Sequence, residues 1–136
     1  MTKTTRRQTL QILSAGAFAG LAPGLLSTTV LAATPIRIAM VVKALGIGFF
    51  DACRDGGLEA AKELGDCELI YTGPTKTTAE EQIAVIDALI AQKVDGICIS
   101  ANDNTALVPV CKKAMERGIK VISFDSGVAT EGRIMH

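Results

Sequence analysis

The side chains able to do chemistry in this 136-residue sequence gather in a few short polar segments. Lys43 closes an apolar run, Phe49 and Phe50 adjoin in Gly46-Ile47-Gly48-Phe49-Phe50-Asp51, Asn102 and Asp103 follow Ser100-Ala101, and Asp125 and Ser126 follow Phe124. Aromatic faces beside carboxylates, amides and hydroxyls suit a small polyhydroxylated ligand, whose C–H face packs on a ring while its hydroxyls find polar partners. A carboxylate such as Asp125 accepts two hydroxyls at once, each charge-assisted bond contributing about 1.5–3 kcal/mol before desolvation. Lys43 would donate to ring or hydroxyl oxygens. Each residue also has a plainer role open to it. Phe50 falls on the apolar stripe of a helix and Phe49 does not; Lys43 suits a solvated strand end; Asn102, Asp103, Asp125 and Ser126 suit turns and caps.

Other chemistries fit poorly. Gly46 and Gly48 open a dinucleotide fingerprint, but Asp51 stands at its third glycine, where a carboxylate would face pyrophosphate. The next strand ends in Tyr71-Thr72-Gly73 and lacks the acid that takes ribose hydroxyls. The chain has no Walker lysine motif, no Gly-x-Ser-x-Gly elbow and no Cys-x-x-Cys, and its single histidine is His136. No catalytic residue, metal site or cofactor is therefore expected. Fourteen basic residues balance fourteen acidic ones, which argues against a nucleic-acid partner.

Residues 1–33 read as an export signal: Lys3, Arg6 and Arg7 precede an uncharged Leu-, Ala- and Gly-rich stretch ending in Val30-Leu31-Ala32-Ala33. Thr5-Arg6-Arg7-Gln8-Thr9-Leu10 resembles a twin-arginine signal, so the Sec and twin-arginine routes both stay open. Retained, the same stretch would be an anchor, a role weakened by Pro23 and its small neighbours. Cleavage leaves a chain from about Thr34 with a net charge of −3.

The elements that must hold the polar segments alternate strand with helix. Pro35–Lys43, Cys67–Thr72, Asp95–Ser100 and Ile119–Phe124 are short β-branched runs of the kind buried on both faces. Between them, Gly48–Leu64 repeats apolar residues at helical spacing before Gly65, and Thr78 with Glu81 forms a capping box for a helix to about Gln92. Asn104–Arg117 is a third helix, in which Pro109 implies a start as late as Ala106 or a bend at Val108. The pattern specifies an α/β, doubly wound parallel sheet. Ligands of such sheets sit beyond the carboxyl ends of the strands, which selects the loops carrying the polar segments above. Cys53, Cys67, Cys98 and Cys111 fall on separate elements and read as buried free thiols.

IRIAMVVKALGIGFFDACRDGGLEAAKELG, then YTGPT, then DGICISANDNTALVPVCKKAMERGIKVISFDSGV, resembles the amino-terminal lobe of periplasmic sugar-binding proteins of the ribose-binding type, across nearly all of residues 34–136. Within that family the Lys43–Phe50 stretch and Asp125-Ser126-Gly127-Val128 resemble rhamnose-binding proteins most, with autoinducer-2 receptors as near relatives. The resemblance implies a type I periplasmic-binding-protein lobe, with Phe49 and Phe50 as aromatic contacts, Lys43 as hydroxyl donor and Asp125 as the acid. Gly46 and Ile47 stand where ribose binders carry asparagines, and Phe124 at a packing position that relatives often fill with Trp. It further implies a monomeric periplasmic component of an ABC sugar importer, partnered by an inner-membrane permease and performing no chemical step. Two-lobed receptors enclose the ligand between lobes, so a chain stopping at His136, inside an expected fifth strand, is expected to be an incomplete lobe of marginal stability and weak affinity. A sugar-responsive repressor shares this lobe but carries a helix-turn-helix where the apolar leader stands. A cytosolic α/β enzyme, which would need a catalytic set completed by further sequence, and a sensor ectodomain with the leader retained are the remaining alternatives.

Overall fold

A computed structural model of the chain describes residues 34–136; the expected export signal lies outside the described residues. The elements run β1 (Ile36–Val41), α1 (Gly48–Leu64), β2 (Cys67–Thr72), α2 (Ala79–Ala91), β3 (Gly96–Ile99), α3 (Val108–Glu116) and β4 (Lys120–Ser123). All strand pairs are parallel and the sheet order is β2-β1-β3-β4. The chain steps outward from β1 to β2, then returns to the other side of β1 for β3. Strand order thus reverses between the tips of β1 and β3.

Side chains alternate across the sheet, and the core of buried residues lies on the face of α2 and α3, while Ile122 of β4 stays 36% exposed on the other. Ala39, Val41, Ile97, Ile99 and Val121 pack against Ile86, Leu89 and Ile90 of α2 and Val110, Cys111 and Ala114 of α3. On the opposite face α1 lies over β1 and β2. Gly57 permits that approach, because a Cβ there would stand 2.8 Å from Leu69 Cδ2 and 3.1 Å from Met40 Cε. Helices on both faces make the sheet doubly wound, the expected α/β class. No helix among the described residues is long and apolar enough to cross a membrane.

α1 and β2 span the expected residues, while β1, β3 and β4 are each trimmed at the ends. α3 begins four residues later than its apolar spacing suggests. Pro109 supplies no N–H and sits in the first turn, so the preceding residues form separate turns and the helix starts at Val108. The capping box is half formed. Thr78 Oγ accepts from Glu81 N at 3.4 Å, but Glu81 Oε2 turns to Lys76 N (3.1 Å) and Thr75 Oγ (3.2 Å), bracing the β2–α2 loop instead of returning to the Thr78 amide. Beyond β4, Met135 forms an isolated parallel bridge with Ile122 on that edge.

Candidate functional site

The tips of β1 and β3 are joined by a side chain that no loop motif announces. Gln82, fully buried on the inner stripe of α2, donates through Nε2 to the carbonyls of Val42 (3.1 Å) and Ser100 (2.8 Å). Its Oε1 accepts from Asn102 N at 2.8 Å. One amide therefore satisfies three backbone groups left over where the ladder ends, as buried polar groups require. Asn102 adds a second tie, its Nδ2 donating to the carbonyls of Lys43 (2.8 Å) and Thr78 (3.3 Å). Gly73 closes the other side: a Cβ there would lie 2.9 Å from the Val42 carbonyl oxygen.

Lys43 leaves this fixed corner with its Nζ 3.6 Å from Asp125 Oδ2. Asp125 also takes a 2.7 Å hydrogen bond from Ser100 Oγ and a 3.4 Å one from Ser126 Oγ, both on Oδ2. The Ser100 hydroxyl, opposed by some desolvation and aided by the Lys43 charge, holds the Asp125 carboxyl below the usual carboxylate range. Asp125 has φ 57°, the left-handed region, so the backbone turns sharply as it presents the carboxylate. Lys43 and Asp125 each keep about a third of their side chains in solvent, at 31% and 36%. They form a charged pair at the sheet's carboxyl end, open to solvent.

The aromatic residues divide. Phe50 is buried and stacks edge-on with Phe124, ring centroids 6.2 Å apart, and with Phe49 at 5.2 Å. Phe49 is 58% exposed at the end of that row, and Leu45 and Ile47 on the same loop are exposed too. The row runs from the residue before Asp125 to the start of α1, so Phe49 and Asp125 belong to one end of the sheet. Asp103 faces its own turn: Oδ1 accepts from Thr105 N (2.8 Å) and Ala106 N (2.7 Å), which hold its carboxyl below the ordinary range. Asp51, at the broken dinucleotide fingerprint, accepts from Tyr71 Oη and Arg54 Nη1, both at 3.3 Å.

The structure thus gathers Lys43, Asn102, Asp125 and Ser126 around the β1, β3 and β4 tips, with Phe49 exposed and Phe50 buried behind it. Gln82 and Ser100 belong to this corner and were not among the candidates. A polar residue on an otherwise apolar helical stripe, Gln82 ahead of Ile86 and Leu89, is the signal that could have found the first. A cavity of about 480 Å³ lies at the opposite end of the sheet, against Ile90, Val94, Ile119, Lys93 and Arg117. Among the described residues no group of three or more His, Cys, Asp or Glu converges to hold a metal.

Residues 38–136 match the periplasmic binding protein domain family. The chain belongs to that family. It is similar to a D-ribose/D-allose-binding protein of Pseudomonas aeruginosa, 39% identical over 92 residues, a span of 66% of this chain and 29% of the relative. Among solved structures it resembles LsrB from Clostridium saccharobutylicum in complex with AI-2, with TM-score 0.71, 26% identity and coverage of 74% of this chain and 31% of the other. It resembles likewise an ABC transporter solute binding protein from Clostridium phytofermentas with bound L-rhamnose, with TM-score 0.67, 33% identity and coverage of 76% and 32%. The chain spans about three tenths of the length of these proteins, and the resemblance read from the sequence holds at the level of family and fold. The relatives are binding proteins.

Proposed function

We propose that this chain is the ligand-contacting amino-terminal lobe of a periplasmic sugar-binding protein that delivers a deoxy-sugar such as L-rhamnose to an inner-membrane ABC permease. Residues 1–33 are its export signal, removed on passage by the Sec or twin-arginine route, and residues 34–136 belong to the lobe. The protein acts as a monomer without metal or cofactor and performs no chemical step. Binding energy drives closure of a second lobe over the ligand, and the closed form is what a permease distinguishes.

One observation carries the reading: the Lys43–Asp125 pair, 3.6 Å apart at the tips of the sheet, shares that end with the exposed ring of Phe49. Asp125 and Ser126 take ligand hydroxyls, Lys43 donates to an oxygen, Phe49 covers the C–H face, Asn102 fixes the Lys43 backbone, and Asp103 and Phe50 shape the loops behind them. The exposed Leu45 and Ile47 favour a ligand with a methyl group over ribose. Burying one methyl contributes about 0.8 kcal/mol, or roughly fourfold in affinity, so L-rhamnose should exceed L-mannose by at least that factor.

Calorimetric or NMR titration of the chain with L-rhamnose, L-mannose, D-ribose and autoinducer-2 tests the proposal. With the site covered on one side only, a Kd of about 1 mM is expected. Binding of autoinducer-2 in preference to every sugar moves the reading to a signal receptor. Binding of a nucleotide with none of these abandons it.

A further inference from the structure

Asp125 is held from one side only. Its contacts with Ser100, Lys43 and Ser126 all fall on Oδ2, and Ser100 makes the shortest of them at 2.7 Å. Ser100 differs from the other two in being fully buried, whereas Lys43 and Ser126 are partly exposed. Its own backbone is fixed: Ser100 N donates to the Val41 carbonyl at 2.9 Å, and its carbonyl accepts from Gln82 Nε2 at 2.8 Å. The next residue, Ala101, donates its N–H to the Ser126 carbonyl at 2.9 Å, closing a ring around Asp125. A fixed hydroxyl therefore meets a carboxylate whose backbone is turned into the left-handed region.

We propose that Ser100 is a positioning residue for sugar recognition: it fastens Oδ2 of Asp125 from inside the sheet so that Oδ1 is aimed outward to accept a ligand hydroxyl. This rests on the reading of Asp125 as a ligand contact. Ser100 itself touches no ligand. It acts by fixing the carboxylate rotamer and by keeping the group ionised, since a hydrogen bond to the charged form favours it. Preorganisation of this kind raises affinity by sparing the cost of ordering the carboxylate on binding.

The test follows the Asp125 carboxyl carbon of the chain by NMR through an acid titration, alongside L-rhamnose binding, in the parent, Ser100→Ala and Ser100→Thr. Ser100→Ala should raise the Asp125 midpoint, weaken L-rhamnose about tenfold at neutral pH, and move the acid limb of binding upward in step with the midpoint. Ser100→Thr restores the hydroxyl and should return both. A Ser100→Ala protein with folded-state spectra but an unmoved midpoint and unchanged sugar affinity overturns the assignment. If Ser100→Thr fails to fold, Ser100→Cys, with its weaker donor, should give intermediate values; values equal to those of Ser100→Ala refute the role of the hydroxyl. A midpoint that rises in Ser100→Ala while the parent binds no sugar at all overturns the ligand reading of Asp125, and the proposal with it, and is recognisable because the titration readout needs no ligand.

Discussion

Gln82→Leu is the most demanding perturbation of this structure, because it leaves shape nearly unchanged and removes only hydrogen bonds. The Gln82 amide is fully buried and serves the Val42 carbonyl at 3.1 Å, the Ser100 carbonyl at 2.8 Å and the Asn102 N–H at 2.8 Å. Leucine satisfies none of them. Each buried backbone group stranded without a partner costs about 1–3 kcal/mol, and the greater apolar burial of leucine returns about 1–2 kcal/mol. Three such groups, less that return, give a net loss of about 1–8 kcal/mol, against a typical total of about 5–15 kcal/mol for a domain. With a urea dependence of about 1–3 kcal/mol per molar, the unfolding midpoint followed by circular dichroism should fall by at least about 0.3 M. Gln82→Glu should be worse at neutral pH, because it buries a carboxylate beside two carbonyl oxygens, and should partly recover as acid protonates it into a donor. A Gln82→Leu protein within about 0.5 kcal/mol of the parent would refute the claim that this amide joins the strand tips.

Phe49→Ala and Phe50→Ala should part company: the first leaves stability within about 0.5 kcal/mol and weakens sugar binding, while the second costs about 3–5 kcal/mol in urea unfolding. Asp103→Asn should destabilise the turn leading into α3. Because the Asp103 carboxyl lies below its unfolded value, its contribution is present above the ordinary carboxylate range and is lost as pH falls through the depressed folded value, so parent and variant stabilities should converge in acid. Burial pushes the Cys98 and Cys111 thiols up to about 11. At pH 7 only about one molecule in ten thousand then carries either thiolate, so maleimide should label Cys53 and Cys67 well before them in the native chain.

What could be read from the linear chain follows the range of each signal. β-branched runs, three- and four-residue apolar spacing and Gly65 act within one element, and they place the boundaries of α1 and β2 to the residue. Pro109 acts locally too, and its constraint on α3 was visible, although the turns before Val108 were not. Glu81 shows where such rules stop: its spacing from Thr78 fits a capping box, yet the carboxylate serves Lys76 and Thr75, partners made available by the path of the β2–α2 loop. The site divides in the same way. Lys43, Asn102 and Asp125 stand out because polar residues end apolar strands. Gln82 and Ser100 lie 18 residues apart and acquire their roles only when β1, β3 and α2 are brought together. The burial of Phe50 likewise depends on Phe124, a residue of another crossover.

The left-handed turn at Asp125 limits how this corner can change its chemistry. Glycine, asparagine and aspartate adopt such a turn with little strain, whereas β-branched and bulky residues resist it. Exchange at that position is therefore confined to acid, amide or nothing, and any wider change in the chemistry of this corner has to begin at Lys43, Ile47, Phe49 or Ser126, whose backbones impose no such restriction.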